Sequence, residues 1–300
     1  MILSSAFMSP SAAVTPWLTA ASVLAALSYL WVGLRAPVAR AANGAPERAR
    51  LGLDWPVLLA WSAHLAALVL DIAGLGQDLV GARFGFAPAL SMTVWLVLSV
   101  YLVESRFLPL AVPGVRRVLA LLAMAVVALA WVFPGEARPL AGSPWAPLHW
   151  VLGLASYGLF GVAVLHAALL SRAERQMRQM RQVASGTMGR AGMLGARSEP
   201  GLPLLRLERL TFQFVAAGVS MLSLALLLGW WFTPQWRWDH KNLFAVLGWL
   251  VLSGLLTGRQ VFGWRGRRAT RWLYFGALLL LLSYAGSRFV LEVLLQRAPL

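Results

Sequence analysis

The chain has 300 residues, 59% of them hydrophobic and only 12% charged, a ratio that a water-soluble domain of this size cannot hide in its interior. With no cysteine it has neither disulfides nor thiolate metal sites nor thiol redox couples, so any chemistry must use His, Asp, Glu, Tyr or a bound cofactor. The net charge of +15 comes from basic residues confined to short connections between long apolar runs, a pattern of membrane topology and not of a nucleic-acid partner.

Apolar stretches of spanning length occupy 14–34, 53–73, 86–108, 117–134, 147–171, 212–232, 243–261 and 270–293. In hydrocarbon the backbone can satisfy its hydrogen bonds only within a helix or a closed barrel, so each run reads as a helix. The first lacks a basic leader and a small-residue cleavage site and is followed by Arg35 and Arg40, which marks it as a retained helix. The expected fold is an all-α integral membrane protein of about eight transmembrane helices. It divides into a four-helix part over 1–140 and a second over 141–300 that carries an external Trp-rich segment. Twenty of the 26 lysines and arginines lie on one side of this arrangement: after span one, between three and four, in the long Arg172–Arg209 connection, and between seven and eight. The positive-inside rule makes that side cytoplasmic and leaves both termini extracytoplasmic. The helix of span five is expected to continue into the cytosol through Arg172–Arg181, with the chain loosening over the following Gly/Ala/Ser-rich stretch and Glu199–Leu205. No Walker loop, zinc-protease motif, dinucleotide fingerprint or internal repeat occurs.

The connection between spans six and seven places Trp230, Trp231, Trp236 and Trp238 within nine residues, interleaved with Arg237, Asp239, His240 and Lys241. Two readings fit. One is an interfacial belt, in which each indole meets lipid with its ring and water with its N–H. The other is a flat stacking shelf rimmed by groups that pair with carboxylates, suited to a planar amphipathic ligand. On the same face, His149 stands at the outer start of span five, where an imidazole beside such a shelf suits an iron held in a macrocycle. His64, near the middle of span two, is costly in lipid and must face a cavity or a partner, as a functional group or as a hydrogen-bonded structural one. His166 falls near the cytoplasmic edge of span five, too far from His64 along the membrane normal for the two to share one iron.

These features resemble the cytochrome c assembly superfamily, the heme-handling membrane proteins that include CcsA, CcmC and HemX, and most closely its YpjD-like branch. The resemblance rests on LeuHisTrpValLeuGlyLeuAlaSerTyrGlyLeuPhe from Leu148, LeuProLeuLeuArgLeuGluArgLeuThrPhe from Leu202, TrpArgTrpAspHisLysAsnLeuPhe from Trp236, and the GlyArgGlnValPheGlyTrpArgGlyArgArgAla and SerTyrAlaGlySerArgPheValLeuGlu phrases of spans seven and eight. It covers most of spans five to eight; spans one to four match through topology and His64. The resemblance implies a CcsA/CcmC-like bundle and a bound heme b. It also implies an external Trp-rich segment containing an aspartate (here Trp230, Trp231, Trp236, Trp238 and Asp239), with flanking external histidines as iron ligands. His149 matches the first of these. His240 stands where the well-studied branch usually has proline, and Gly286–Val290 stands where that branch carries its second external His. The metal set implied is therefore His149 with His240, and five-coordinate or absent heme is the alternative.

The reading is a heme-binding or heme-handling membrane protein related to cytochrome c biogenesis, in a bacterial inner membrane. Its partners are the lipid bilayer, heme and other cytochrome assembly or membrane proteins, with no catalytic turnover and no nucleic acid. The rivals are a non-heme structural or regulatory partner of a membrane complex and a small-solute or ion transporter whose path includes His64. Because the orientation rests on the charge alternation and an even number of spans, alkaline phosphatase fused at the C-terminus should be active and a cytoplasmic fluorescent protein fused there should be dark; the reverse pattern refutes it.

Overall fold

The computed structural model describes residues 15–35, 55–74, 82–107, 113–138, 145–187, 201–232 and 238–290. The apolar runs are helices: α1 Pro16–Arg35, α2 Trp55–Ile72, α3 Phe86–Phe107, α4 Pro113–Val132, α5 Ala146–Thr187, α6 Gly201–Phe232, α7 His240–Phe262 and α8 Gly266–Leu281. Seven of them, α1 to α7, are long and apolar enough by themselves to cross a membrane. The eighth has an arginine-rich first turn, and its α-helical part is 16 residues long. It runs on without a break through a π-helical turn, Leu282–Gly286, into Ser287–Phe289, which brings it to spanning length. The bundle is thus the eight-helix, all-α architecture expected from the sequence.

Three boundaries differ from that expectation. α4 begins at Pro113, where a proline costs nothing because the first N–H groups of a helix have no internal partner. α5 holds its helix for 42 residues, about 63 Å, twice the hydrocarbon thickness. The Gly/Ala/Ser-rich stretch begins inside α5, which ends only at Thr187, and α6 begins at Gly201, inside the segment expected to be loose. Pro203 lies in the first turn of α6, where the missing donor is again harmless. A second departure is a short antiparallel pair of strands, β1 Ala82–Phe84 and β2 Glu136–Arg138, joining the α2–α3 connection to the α4–α5 connection with Arg83 opposite Ala137.

The buried apolar side chains form two clusters. One unites α1 to α4 around Ala25, Tyr29, Ala60, Leu98, Leu119 and Val127, with Val162 of α5 reaching into it. The other unites α5 to α8 around Phe160, Val215, Leu252, Leu255, Leu273 and Leu280. α5 and α6 form the most extensive pair, and α5 also lies along α3, so it touches both clusters. Lipid is as apolar as leucine, so helices gain from association only by packing closely or by bonding polar groups. Glycines permit the close packing: a Cβ on Gly161 would sit 2.6 Å from Val97, and one on Gly276 2.6 Å from Leu252. Indoles supply the bonds. Trp61 and Trp95 stack at 4.9 Å, and their N–H groups donate to Ser99 Oγ and to the Trp61 carbonyl, while Trp249 Nε1 donates to Ser223 Oγ at 2.7 Å.

At the Arg-rich end, Glu208 of α6 accepts from Arg259 Nη1 at 3.2 Å and lies 3.6 Å from Arg265 Nε, fixing the α7–α8 turn, in which Gly263 and Gly266 take left-handed backbone angles. A Gly276→Val exchange should lower the stability of the detergent-solubilised protein by about 1–3 kcal/mol through overpacking. Gly254→Val, where a Cβ meets nothing within 4 Å, should leave the melting curve unchanged.

Candidate functional site

Helix α5 starts at Ala146, and the His149 amide donates to the Trp145 carbonyl at 3.1 Å, so the imidazole sits on the first turn, at the bundle end opposite the arginine-rich connections. Its Nδ1 is 2.8 Å from the backbone carbonyl oxygen of Ala225 on α6. A carbonyl can only accept, so Nδ1 carries the proton and Nε2 of the neutral ring carries the lone pair. Protein imidazoles that coordinate metals are commonly held in just this way, one nitrogen donating to a backbone acceptor and the other presented to the ion. Room for the ring comes from Gly229, where a Cβ would stand 2.9 Å from His149 Cε1. Neither Gly229 nor the Ala225 carbonyl is singled out by the sequence. The only signal is a glycine interrupting the leucine run just before Trp230.

Across from His149, Asp239 takes extended backbone angles as the N-cap of α7, and its Oδ1 accepts from the Asn242 amide at 2.8 Å. The carboxylate thus shapes the turn entering α7, a role that an Asp four residues from a helix's apolar run performs well. His240 is the first residue of that helix and is exposed. Lys241 follows, close enough to His149 for the two to interact electrostatically. Its ammonium lies 5.9 Å from the centre of the Tyr284 ring, and its carbonyl accepts from Ser283 Oγ at 2.8 Å, which ties the start of α7 to the π-helical turn after α8. Trp230, Trp231 and Trp238 are 63%, 78% and 69% exposed. Trp236 lies outside the described residues. The fold therefore gathers His149, the tryptophan pair ending α6, and Trp238–Lys241 at one end of the bundle.

His64 is elsewhere. Its ring is fully buried among α1 to α4, with Nδ1 3.2 Å from the Tyr29 hydroxyl and Nε2 2.8 Å from Ser91 Oγ. Both ring nitrogens are occupied by hydroxyls, so in this arrangement the imidazole joins three helices. His166 pairs with Glu104 at 2.7 Å and leans on Phe214 of α6. Ser91 and Glu104 are both on α3, about 20 Å apart along its axis, so the two buried histidines sit at different depths, as their positions along the spans require. Among the described residues no three His, Asp or Glu side chains converge as they would around a bare metal ion. A macrocycle supplies four ligands of its own and asks the protein for only one or two, which the His149 region can offer.

The cap can be tested directly. Asp239→Ala should cost about 1 kcal/mol locally and speed amide hydrogen exchange over the first turn of α7, whereas Asp239→Asn, which still accepts from the Asn242 amide, should not.

The sequence profile of the family described as cytochrome C assembly protein matches residues 57–295. The chain is 26% identical to the inner membrane protein YpjD of Escherichia coli K12, over 79% of this chain and 98% of that protein. It is 29% identical to an uncharacterized 28.8 kDa protein in the nifR3-like 5' region of Azospirillum brasilense, over 76% of this chain and 85% of the relative. A shorter stretch, 28% of each chain, is 32% identical to the cytochrome c biogenesis protein CcsA of Prochlorococcus marinus MIT 9515. No solved structure matches. With a profile match that runs from α2 to the end of the last helix, on an eight-helix bundle, this chain belongs to the cytochrome c assembly protein family.

Proposed function

We propose that this protein binds or relays heme at the bundle end where His149, the Trp230–Trp231 pair and the Trp238–Lys241 turn meet, as a multi-pass protein of a bacterial inner membrane with its arginine-rich connections in the cytoplasm. One observation carries the reading: the Ala225 carbonyl accepts the His149 Nδ1 proton and so leaves Nε2 as the nitrogen that bears the lone pair, the one able to ligate a metal. Family membership supports it, as does the placement of three exposed indoles, whose faces suit a planar apolar ring. Heme would supply an iron centre for ligand exchange or electron transfer. The protein's part is to hold and orient it. His149 fixes the iron, Lys241 offers a charge-assisted bond to a carboxylate at the edge, and His240, exposed on the first turn of α7, is the candidate second ligand. Nothing in this role requires catalytic turnover, and its partners would be other cytochrome assembly proteins receiving or supplying the ligand.

Heme quantification and an absorption spectrum on detergent-purified protein test the reading. The wild type should show a Soret band that is lost in His149→Ala and shifted or weakened in His240→Ala. A wild type that remains heme-free after expression with a heme precursor and after reconstitution would overturn it and favour a structural partner that has kept the scaffold. Retention of an unchanged spectrum in His149→Ala would move the ligand elsewhere, with His64 first to be examined.

A further inference from the structure

The four amino-terminal helices contain a chain of buried polar groups that the heme reading does not use. At its centre the Tyr29 hydroxyl, His64 and Ser91 are joined by bonds of 3.2 and 2.8 Å, and their exposures are 2%, 0% and 1%. On the arginine-rich side, Tyr29 opens onto a cavity of about 20 Å³, also lined by Tyr101, Ser105 and Arg116. Ser105 and Arg116 are within a turn of the ends of α3 and α4, so this cavity reaches the membrane surface region. On the other side, Ser91 opens onto a second cavity of about 10 Å³, shared with Ser22 and Asp71. Asp71 is the penultimate residue of α2, at the opposite end of the bundle. Each cavity is about the size of one water and has three or more polar walls, which is what an internal water requires.

The far end shows a second sign of an incomplete network. Asp71 Oδ1 is buried without a hydrogen-bond partner, 3.7 Å from Arg83 Nη1, while Asp71 Oδ2 accepts from the Gly135 amide at 3.4 Å. Arg83 donates its Nε–H to the Gly135 carbonyl at 2.6 Å, and both of its terminal nitrogens lack hydrogen-bond partners among the described residues. A carboxylate oxygen buried beside a water-sized polar cavity is satisfied when a water bridges it to Ser91 or Ser22. An ionisable row across a membrane protein costs enough that it ordinarily marks a path for ions or protons.

We infer that α1 to α4 carry a proton-transfer path across the membrane, running from the Arg116 end through Tyr29, His64 and Ser91 to Asp71. The step balances with one proton in and one out. The Tyr29 O–H breaks as His64 Nδ1–H forms; His64 Nε2–H breaks as a new O–H forms on Ser91. The proton that Ser91 held passes through water in the outer cavity to Asp71, which releases it to water at the outer surface, and Tyr29 regains a proton from water in the inner one. Reorientation of the three groups resets the chain, and the transmembrane proton gradient sets the direction of net flow. Charges facing this row are Arg116 at one end and Arg83, 3.7 Å from Asp71 Oδ1, at the other. The inference is independent of the heme site, which lies among α5 to α8.

Full-length protein in liposomes loaded with a pH-sensitive dye, with a potassium diffusion potential imposed by valinomycin, reads the path. Wild-type vesicles should change internal pH faster than protein-free vesicles. Tyr29→Phe and Ser91→Ala, which delete a hydroxyl each with little change of shape, should return the rate to the protein-free value while leaving any Soret band intact. Ser220→Ala, a hydroxyl on the exposed face of α6, should conduct like wild type. A wild-type rate equal to that of empty vesicles, or variants of Tyr29 and Ser91 that conduct like wild type, would overturn the inference.

Discussion

In hydrocarbon a polar group has no solvent to fall back on, and that constraint organises the whole bundle. A buried donor or acceptor left alone costs about 1–3 kcal/mol, which favours matching the indole N–H groups and imidazoles inside the membrane with groups on a neighbouring helix. Ser99 answers Trp61, Ser223 answers Trp249, Ser91 and Tyr29 answer His64, and Glu104 answers His166. Because apolar burial does little to join helices in lipid, these bonds and the glycine-lined contacts decide which helices are neighbours. The residues of the proposed site are drawn from the same set. His149 is held by the same kind of bond, an N–H to a backbone carbonyl on a neighbouring helix, that elsewhere joins Trp95 to the Trp61 carbonyl.

The two halves use the constraint differently. In α5 to α8 the groups of the proposed site are collected at one end. His149, the α6 tryptophans, the capped start of α7 and the Ser283 bond to Lys241 are brought to the bundle surface, where a large planar ligand can approach from outside. In α1 to α4 polar groups are strung through the interior from Arg116 to Asp71, beside two water-sized cavities. The strand pair β1–β2 covers the Asp71 end and holds Arg83 against it, so a small element between helices completes the interior row.

The π-helical turn at Leu282–Gly286 has a comparable effect on the first half's neighbour. By widening the helix at Ser283 it allows the hydroxyl to reach the Lys241 carbonyl on α7, and by continuing into Ser287–Phe289 it carries Phe289 to within 5.5 Å of Phe86 at the start of α3. The last helix is therefore in contact with both halves at the end that carries the proposed heme site.

The sequence by itself determined the eight helices, their order and, apart from the cytoplasmic ends of α5 and α6, their limits to within a few residues, because a run of apolar residues long enough to cross a bilayer has one backbone solution. It also determined that His64 had to be inside, since a lone imidazole in lipid is costly. Helix continuation through Ser185–Thr187 and the entry of α6 at Gly201 were not legible, since composition reports solvation and says nothing of the antiparallel partner that supports a helix beyond the membrane. The site was legible as residue types and hidden as geometry. The sequence places His149, Asp239 and the tryptophans on one face, but which atom of His149 bears the proton depends on the Ala225 carbonyl, 76 residues away. That Asp239 caps α7 depends on backbone angles at the turn. The row from Tyr29 to Asp71 draws on three helices separated by connections of unrelated sequence. Hydropathy is a property of each segment taken alone, whereas hydrogen bonds between helices exist only once rotation and depth are set, and those are decided by packing in three dimensions.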